Sequence, residues 1–145
     1  MSNSQQANAT PDEDPRDANL VRLRGRISTG ATERELPSGS LVVSFRLSVP
    51  RAPSPMTVGT RQTSDWVDCS VWAARTRRTV MRWAVGDVVE VEGALRRRFH
   101  RGASGTSTRL EVEVLSGRRV VRAAGAGRTR RRQPDEPEEP TRVPQ

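Results

Sequence analysis

The chain has 145 residues, which is enough for one compact domain with terminal extensions. A hydrophobic fraction of 33% and a mean hydropathy of -0.70 exclude a chain that is packed from end to end, and no apolar run approaches the length of a membrane-spanning helix. The formal net charge of +8 favours a polyanionic partner, and the single cysteine excludes an internal disulfide.

The two ends of the chain lack the apolar residues that a packed core needs. Residues 1–18 are polar and acidic, and residues 123–145 combine a Gly/Ala piece, the basic run GRTRRR and an acidic Pro-rich end. Ordering such segments costs entropy that burial does not offset. We therefore predict disordered termini around a folded domain at residues 19–122. That domain holds 19 arginines against nine acids, so most of the positive charge lies on it.

Two segments with alternating apolar and polar residues begin the domain, and each predicts a half-buried strand. The turn residues Pro37, Ser38 and Gly39 lie between them. In NLVRLRGRI the period of two places one set inward, namely Val21, Leu23, Gly25 and Ile27. In LVVSFRLSV the inward set is Leu41, Val43, Phe45, Leu47 and Val49, and the outward set is Val42, Ser44, Arg46 and Ser48.

The stretch DWVDCSVW predicts a third strand after a Pro-rich connection at residues 50–64. Cys69 lies on its apolar side, where a free thiol behaves as a small hydrophobic group. Two of the five large aromatic residues of the chain therefore face away from the core. The face they share consists of Trp66, Asp68, Ser70 and Trp72.

A helix is predicted over residues 73–85, with Val80, Trp83 and Ala84 on its core-facing side and Gly86 as its stop. Trp83 is therefore interpreted as a packing residue.

Two further strands follow the helix, joined by the Gly/Ser turn RGASGTS. Gly93 in the first of them indicates a bend or bulge, as the closure of a small barrel requires. The inward set of the fourth strand is Val89, Val91, Gly93 and Leu95, and its outward set is Val88, Glu90, Glu92, Ala94, Arg96 and Arg98. The inward set of the fifth strand is Leu110, Val112 and Val114.

Five short strands with one helix between the third and fourth predict an all-β OB-fold barrel, a fold whose open face and loops bind oligonucleotides and oligosaccharides. Aromatic rings among arginines on a strand face suit single-stranded nucleic acid, because every base can stack and arginine meets phosphate. Trp66 and Trp72 fit that role; the alternative is that they cover an open end of the barrel or a subunit interface. Arg96, Arg98 and His100 share an outward face in the fourth strand.

The sequence predicts neither an enzyme nor a cofactor site. No nucleophile–base pair, phosphate-binding glycine loop or paired-carboxylate site is recognisable in it, and no Cys/His cluster has zinc-ligand spacing.

Four motifs occur in order along residues 19–116, namely NLVRLRGRI, PSGSLVVSFRLSV, DWVDCSVWA and GDVVEVEGALRRR. Together they resemble the bacterial single-stranded DNA-binding protein (SSB) family. The resemblance implies an OB fold, binding of single-stranded DNA without sequence specificity, and a homotetramer. By position it implies base stacking on Trp66 and Trp72 and basic contacts from Arg96 and Arg98. The next aromatic position of the family falls at His100, with Phe99 one place earlier, and either residue can stack.

The chain departs from the family pattern at three places. Asp68 lies between the two tryptophans, where a basic residue is common. Arg22 and Arg24 lie on the outer side of the first strand, where members of the family pair across a dimer interface. The acidic tail ends in TRVPQ instead of Pro-Phe, so we do not expect recruitment of other proteins through that tip.

The leading hypothesis is a non-catalytic, cytoplasmic and nucleoid-associated homo-oligomer that binds single-stranded DNA in replication, repair or recombination. One alternative is an OB-fold protein-interaction subunit of a replication or recombination complex, which Asp68 favours. The other alternative is an RNA-binding OB module. The residues assigned to the interface are Trp66, Trp72, Phe99, His100, Arg46, Arg96, Arg98, Arg101 and Arg109.

Overall fold

Five strands close into a barrel in the computed structural model, which describes residues 16–124, except for the side chain of His100. The elements are β1 (Val21–Glu35), β2 (Leu41–Pro50), β3 (Ser64–Val71), α1 (Ala74–Val80), β4 (Val88–Gly102) and β5 (Gly105–Val121). The order around the barrel is β1-β2-β3-β5-β4; β3 and β5 are parallel, and all other pairs are antiparallel. This confirms the predicted all-β OB-fold barrel with one helix, whereas the prediction of disordered ends falls almost entirely outside the described residues.

The core consists mainly of the inward sets that the period of two predicts. Trp83 completes it at one end of the barrel, where its ring meets Phe45 edge to face at a centroid distance of 5.8 Å. The packing role predicted for Trp83 is therefore confirmed. The buried core residues are Ile27, Val43, Phe45, Leu47, Cys69, Val71, Val80, Trp83, Val89, Val91, Val112 and Val114.

Helix α1 is shorter than the prediction of residues 73–85, since it ends at Val80. Beyond it the chain turns so that Trp83 enters the core and Gly86 donates its N–H to the carbonyl of Ile27 at 2.9 Å. Gly86 has a φ of +90°, which glycine adopts without strain. These tertiary contacts outweigh the helical spacing and end the helix early.

Besides Ser70, which lies at the interface described below, four side chains differ from their predicted burial. The β4–β5 pairing continues to Gly102, whereas β1 accompanies β4 only as far as Gly93, so the hairpin projects beyond the barrel. Leu95 and Leu110 lie on this projection and are exposed, although both were predicted inward.

Ala94 and Val42 were predicted outward but are buried. Ala94 lies beside Asn19, whose side chain hydrogen-bonds the backbone of Leu95. Val42 is fully buried at the start of β2, where Arg77 of α1 donates a hydrogen bond to the carbonyl of Leu41 at 3.2 Å.

The irregularity predicted at Gly93 is confirmed. The β4–β5 register shifts between Glu92 and Gly93, and Leu115 is the extra residue on β5.

Within residues 16–124 the only helix is far too short and too polar to cross a membrane.

Asp87 is fully buried where the chain turns from α1 into β4. Its carboxylate accepts hydrogen bonds from the backbone N–H of Ala84 at 2.9 Å and of Ala123 at 2.7 Å, and it pairs with Arg119 at 3.5 Å. Burial alone would raise the pKa of Asp87, but these donors outweigh burial and hold the pKa below its ordinary value of 3.8. The carboxylate thereby ties the start of β4 to the residues that follow β5.

Replacing Asp87 with alanine is expected to lower the free energy of unfolding by about 2 kcal/mol, because two partly buried backbone N–H groups lose their acceptor. The pKa of the aspartate is lower in the folded than in the unfolded state. Its stabilising effect is therefore complete above about pH 4 and is lost as the pH falls through the folded-state pKa. Urea unfolding of both proteins at about pH 7 and about pH 3 measures this effect, and the difference between them should shrink at the lower pH. An equal difference at both would contradict the role of the ionised carboxylate.

Candidate nucleic-acid interface

Trp66 on the outward side of β3, and Trp72 one residue beyond the end of the strand, are exposed as predicted. The side chain of Trp66 is 75% exposed and that of Trp72 is 36% exposed, while Cys69 and Val71 on the other side are buried. Burial raises the pKa of the Cys69 thiol to about 12, with smaller contributions from two nearby acids. The thiol is therefore inert at neutral pH, and the chemically relevant groups of this strand are on its outer side.

Arg46 of β2 links Trp66 to Asp68. Arg46 lies opposite Asp68 in the β2–β3 register, and its Nε donates to Asp68 Oδ1 at 2.9 Å. The same guanidinium lies over the indole of Trp66, with its carbon 5.4 Å from the ring centroid. One face of the indole is thus covered by a cation, and the negative charge of Asp68 is compensated within the protein.

A second set of contacts, with the same components, holds Trp72. Its Nε1–H donates to Ser70 Oγ at 3.3 Å, and Ser70 Oγ donates to Glu111 Oε1 at 3.2 Å. Arg98 pairs with Glu111 at 3.3 Å and also lies over the ring of Trp72, 5.4 Å from its centroid. These four contacts form a closed ring that begins and ends at Trp72. Ser70, Glu111 and Arg98 therefore determine the orientation of the indole together.

Ser70 was expected on the exposed face of the third strand but is buried. Strand β5 runs parallel to β3 at this point, with Cys69 opposite Val112, and it brings Glu111 against the serine. Glu111 itself was not a candidate. From the sequence alone, a single acidic residue within a strand is predicted to face solvent. Its burial here depends on the neighbouring strand, which the sequence does not identify.

A groove of about 300 Å³ is lined in part by Arg46 and Arg98, the two arginines that lie over the tryptophan rings. Arg34 was missed as a lining residue because the alternating pattern of the first strand was followed only to Ile27. Strand β1 continues to Glu35, with register shifts after Ile27 and after Thr29 that bend it. The charged residues that line the groove are Arg34, Arg46, Arg98, Arg109, Asp68 and Glu111.

The remaining candidates lie on the β4–β5 hairpin. Arg96 pairs with Glu113 at 2.9 Å and lies apart from the groove. Phe99 is exposed on the face of the hairpin opposite to Arg98, so it does not join the two tryptophans. By its position in β4, His100 falls on the same side of the hairpin as Arg98, but its side chain lies outside the described residues. Arg101 is exposed near the turn. The structure therefore brings together Trp66, Trp72, Arg46, Arg98 and Arg109.

Comparison with known proteins shows the family of this chain. The model of the "Single-strand binding protein family" matches residues 18–120. The chain belongs to this family. No curated protein matches the chain. Two solved structures are similar to this single-strand binding protein, and because their sequence identities are only 19% and 22%, the similarity shows the fold alone.

The first similar structure is "Plasmodium falciparum SSB complex with ssDNA", with a TM-score of 0.59 and 19% identity over 75% of this chain and 98% of the other. The second is the "Dimeric structure of the N-terminal domain of PriB protein from Thermoanaerobacter tencongensis", with a TM-score of 0.50 and 22% identity over 70% and 96% of the two chains.

The two arginines that depart from the family pattern on β1 have partners within the same chain. Arg22 donates to Glu92 at 2.7 Å, and Arg24 donates to Glu90 at 2.7 Å, with Arg118 on the other side of Glu90 at 3.4 Å. The hydrogen bond from Arg24 is the main reason that the pKa of Glu90 is lowered. The outer face of β1 and β4 in this single-strand binding protein is therefore a row of ion pairs.

Proposed function

We propose that this protein binds single-stranded DNA without a defined recognition sequence. One observation supports this best. The exposed indoles of Trp66, in β3, and Trp72, just beyond its end, each have a guanidinium over one side of the ring. The two arginines that supply these guanidinium groups line a groove together with Arg34 and Arg109. Membership of the single-strand binding protein family supports the same function.

Base stacking supplies most of the affinity in this proposal. Stacking on an aromatic side chain contributes about 1–3 kcal/mol per base and tolerates any base. Arg46 and Arg98 cover one side of each ring, which leaves the other side for a base. A guanidinium beside an indole also adds a cation–π interaction that holds the ring in place.

Phosphate contacts come mainly from arginines that have no ion pair within residues 16–124. Arg34 and Arg109 line the groove, and Arg101 extends the basic surface along the hairpin. Arg46, Arg96 and Arg98 are already engaged by carboxylates through Nε, so each can contact a phosphate only with the N–H groups that the carboxylate leaves unused.

The biological setting in this proposal is DNA replication, repair or recombination in the cytoplasm, on nucleoid DNA. The protein contributes binding, without a catalytic step. We propose a homo-oligomer, with a tetramer as the state that the family resemblance implies, and light scattering with and without oligo-dT measures its mass.

Titration with oligo-dT tests the proposed function. Tryptophan fluorescence should be quenched at low salt, because bases stack on Trp66 and Trp72. The logarithm of the binding constant should fall with the logarithm of the salt concentration with a slope of about -2, which corresponds to about three phosphate contacts in a single strand. Competition with oligo-U separates DNA binding from RNA binding. Absence of quenching at low salt, in a protein whose circular dichroism shows it to be folded, would refute the proposal.

A further inference from the structure

The strand face between the two tryptophans contains an accessible carboxylate. Trp66 and Trp72 are six residues apart, which is about 20 Å along an extended strand, so a DNA strand that contacts both must cross the residues between them. Of these, Ser70 is buried, while the side chain of Asp68 is 32% exposed and lines the groove. Asp68 is therefore the group on this path that can meet the edge of a base.

The carboxylate of Asp68 retains capacity to accept hydrogen bonds. Arg46 donates to Oδ1 through Nε, whereas a carboxylate has about four lone-pair positions on its two oxygens. The contact with Arg46 also fixes the orientation of the group. Asp68 thus presents to the groove a positioned hydrogen-bond acceptor that cannot donate.

An acceptor of this kind distinguishes the four bases. The Watson–Crick edge of guanine has two adjacent donors, N1–H and the N2 amine, which match the two oxygens of a carboxylate. Thymine has one N–H between two carbonyl oxygens, and these oxygens repel a carboxylate. Adenine and cytosine each have one amine next to a ring-nitrogen acceptor. Guanine also presents O6 and N7, the acceptors that arginine contacts most often, and Arg98 and Arg109 line the same groove.

We propose that the groove beside Asp68 prefers guanine, so that single strands containing guanine bind more tightly than otherwise identical strands without it. The inference rests on the proposed function and adds a base preference to binding that otherwise accepts any sequence. Asp68 is the residue that determines the preference, and the arginines of the groove support it.

Fluorescence titration with four short strands tests the proposal. One is oligo-dT, and in each of the others the same isolated thymines are replaced by guanine, by adenine or by hypoxanthine. Adenine controls for the stronger stacking of purines, and hypoxanthine is guanine without the N2 amine. The guanine strand should bind at least about fivefold more tightly than the adenine strand, the lower end of what one bidentate base contact contributes. The hypoxanthine strand should lose most of this advantage.

Two variants assign the preference to Asp68. Asp68→Asn replaces one of the two oxygens with an amine, and the ratio of guanine to adenine affinity should fall to about one. The strands without guanine should bind more tightly, because a negative charge is lost. Asp65→Asn is the matched control, because Asp65 lies in the same strand and pairs with Arg51 at 2.8 Å, and it does not line the groove. The ratio of guanine to adenine affinity of the Asp65→Asn variant should equal that of the wild type.

Three results have distinct meanings. A guanine-to-adenine ratio of about one in the wild type, together with tight binding of oligo-dT, would overturn this inference and leave the proposed function intact. An unchanged ratio in the Asp68→Asn variant would overturn the assignment to Asp68. Failure of the folded wild type to bind any of the strands would overturn the proposed function itself.

Discussion

Replacement of Trp66 with alanine is expected to weaken the binding of oligo-dT by at least about fivefold and by as much as about 100-fold, the range that corresponds to one lost stacking contact. The side chain is 75% exposed, and its interaction with the rest of the protein is a contact with Arg46. The substitution should therefore leave the thermal midpoint of unfolding almost unchanged. Fluorescence anisotropy of a labelled oligo-dT measures the affinity.

Two further variants serve as controls for Trp66. Trp66→Phe keeps an aromatic ring and should retain most of the affinity. Met56→Ala changes another exposed apolar side chain, outside the interface, and should bind as the wild type does. If Trp66→Ala bound DNA normally but changed the mass measured by light scattering, the indole would belong to a subunit interface, and the base-stacking assignment would be wrong.

Replacement of Gly93 with alanine is expected to lower the free energy of unfolding by about 3 kcal/mol or more. A Cβ built on Gly93 would lie 1.8 Å from the carbonyl oxygen of Glu113, a backbone atom that cannot move without opening the β4–β5 pairing. Gly93 is also the last residue of β4 that pairs with β1, so the same displacement would disturb the closure of the barrel. Urea unfolding followed by circular dichroism measures the loss.

Gly102 provides the matched control, since it lies in the same strand and a Cβ there would meet no atom within 4 Å. Gly102→Ala should unfold within about 0.5 kcal/mol of the wild type. If both variants were equally stable, the close approach of β4 and β5 at Gly93 would not be a constraint on the barrel.

The pairing of Asp68 alters the interpretation of the binding face. Taken alone, an acid between two base-stacking residues suggests a face that repels DNA and meets another protein. In the structure Arg46 compensates this charge, and Arg98 does the same for Glu111. The face is therefore close to neutral along its centre and basic at its edges, which suits stacking of bases between contacts to phosphates.

The amino-acid pattern was enough to predict the order of the elements, most of the inward sets and the outward direction of Trp66 and Trp72. These features follow from local rules, because side chains alternate along any strand whatever its neighbours are. The same rules were wrong where the neighbours decide exposure. Leu95 and Leu110 keep their place in the alternation but lie on a hairpin that leaves the barrel, so no strand covers them.

The groups that form the interface come together through contacts between strands, which the sequence did not predict. Arg34 enters the groove because β1 bends, and Glu111 reaches Ser70 because β5 runs parallel to β3. The pairing of Arg46 with Asp68, and of Arg98 with Glu111, joins residues 22 and 13 positions apart. Such pairs depend on the register between strands. The period of two within one strand excludes a slip by one residue, which would reverse the faces, but a slip by two residues keeps every face and changes the partners.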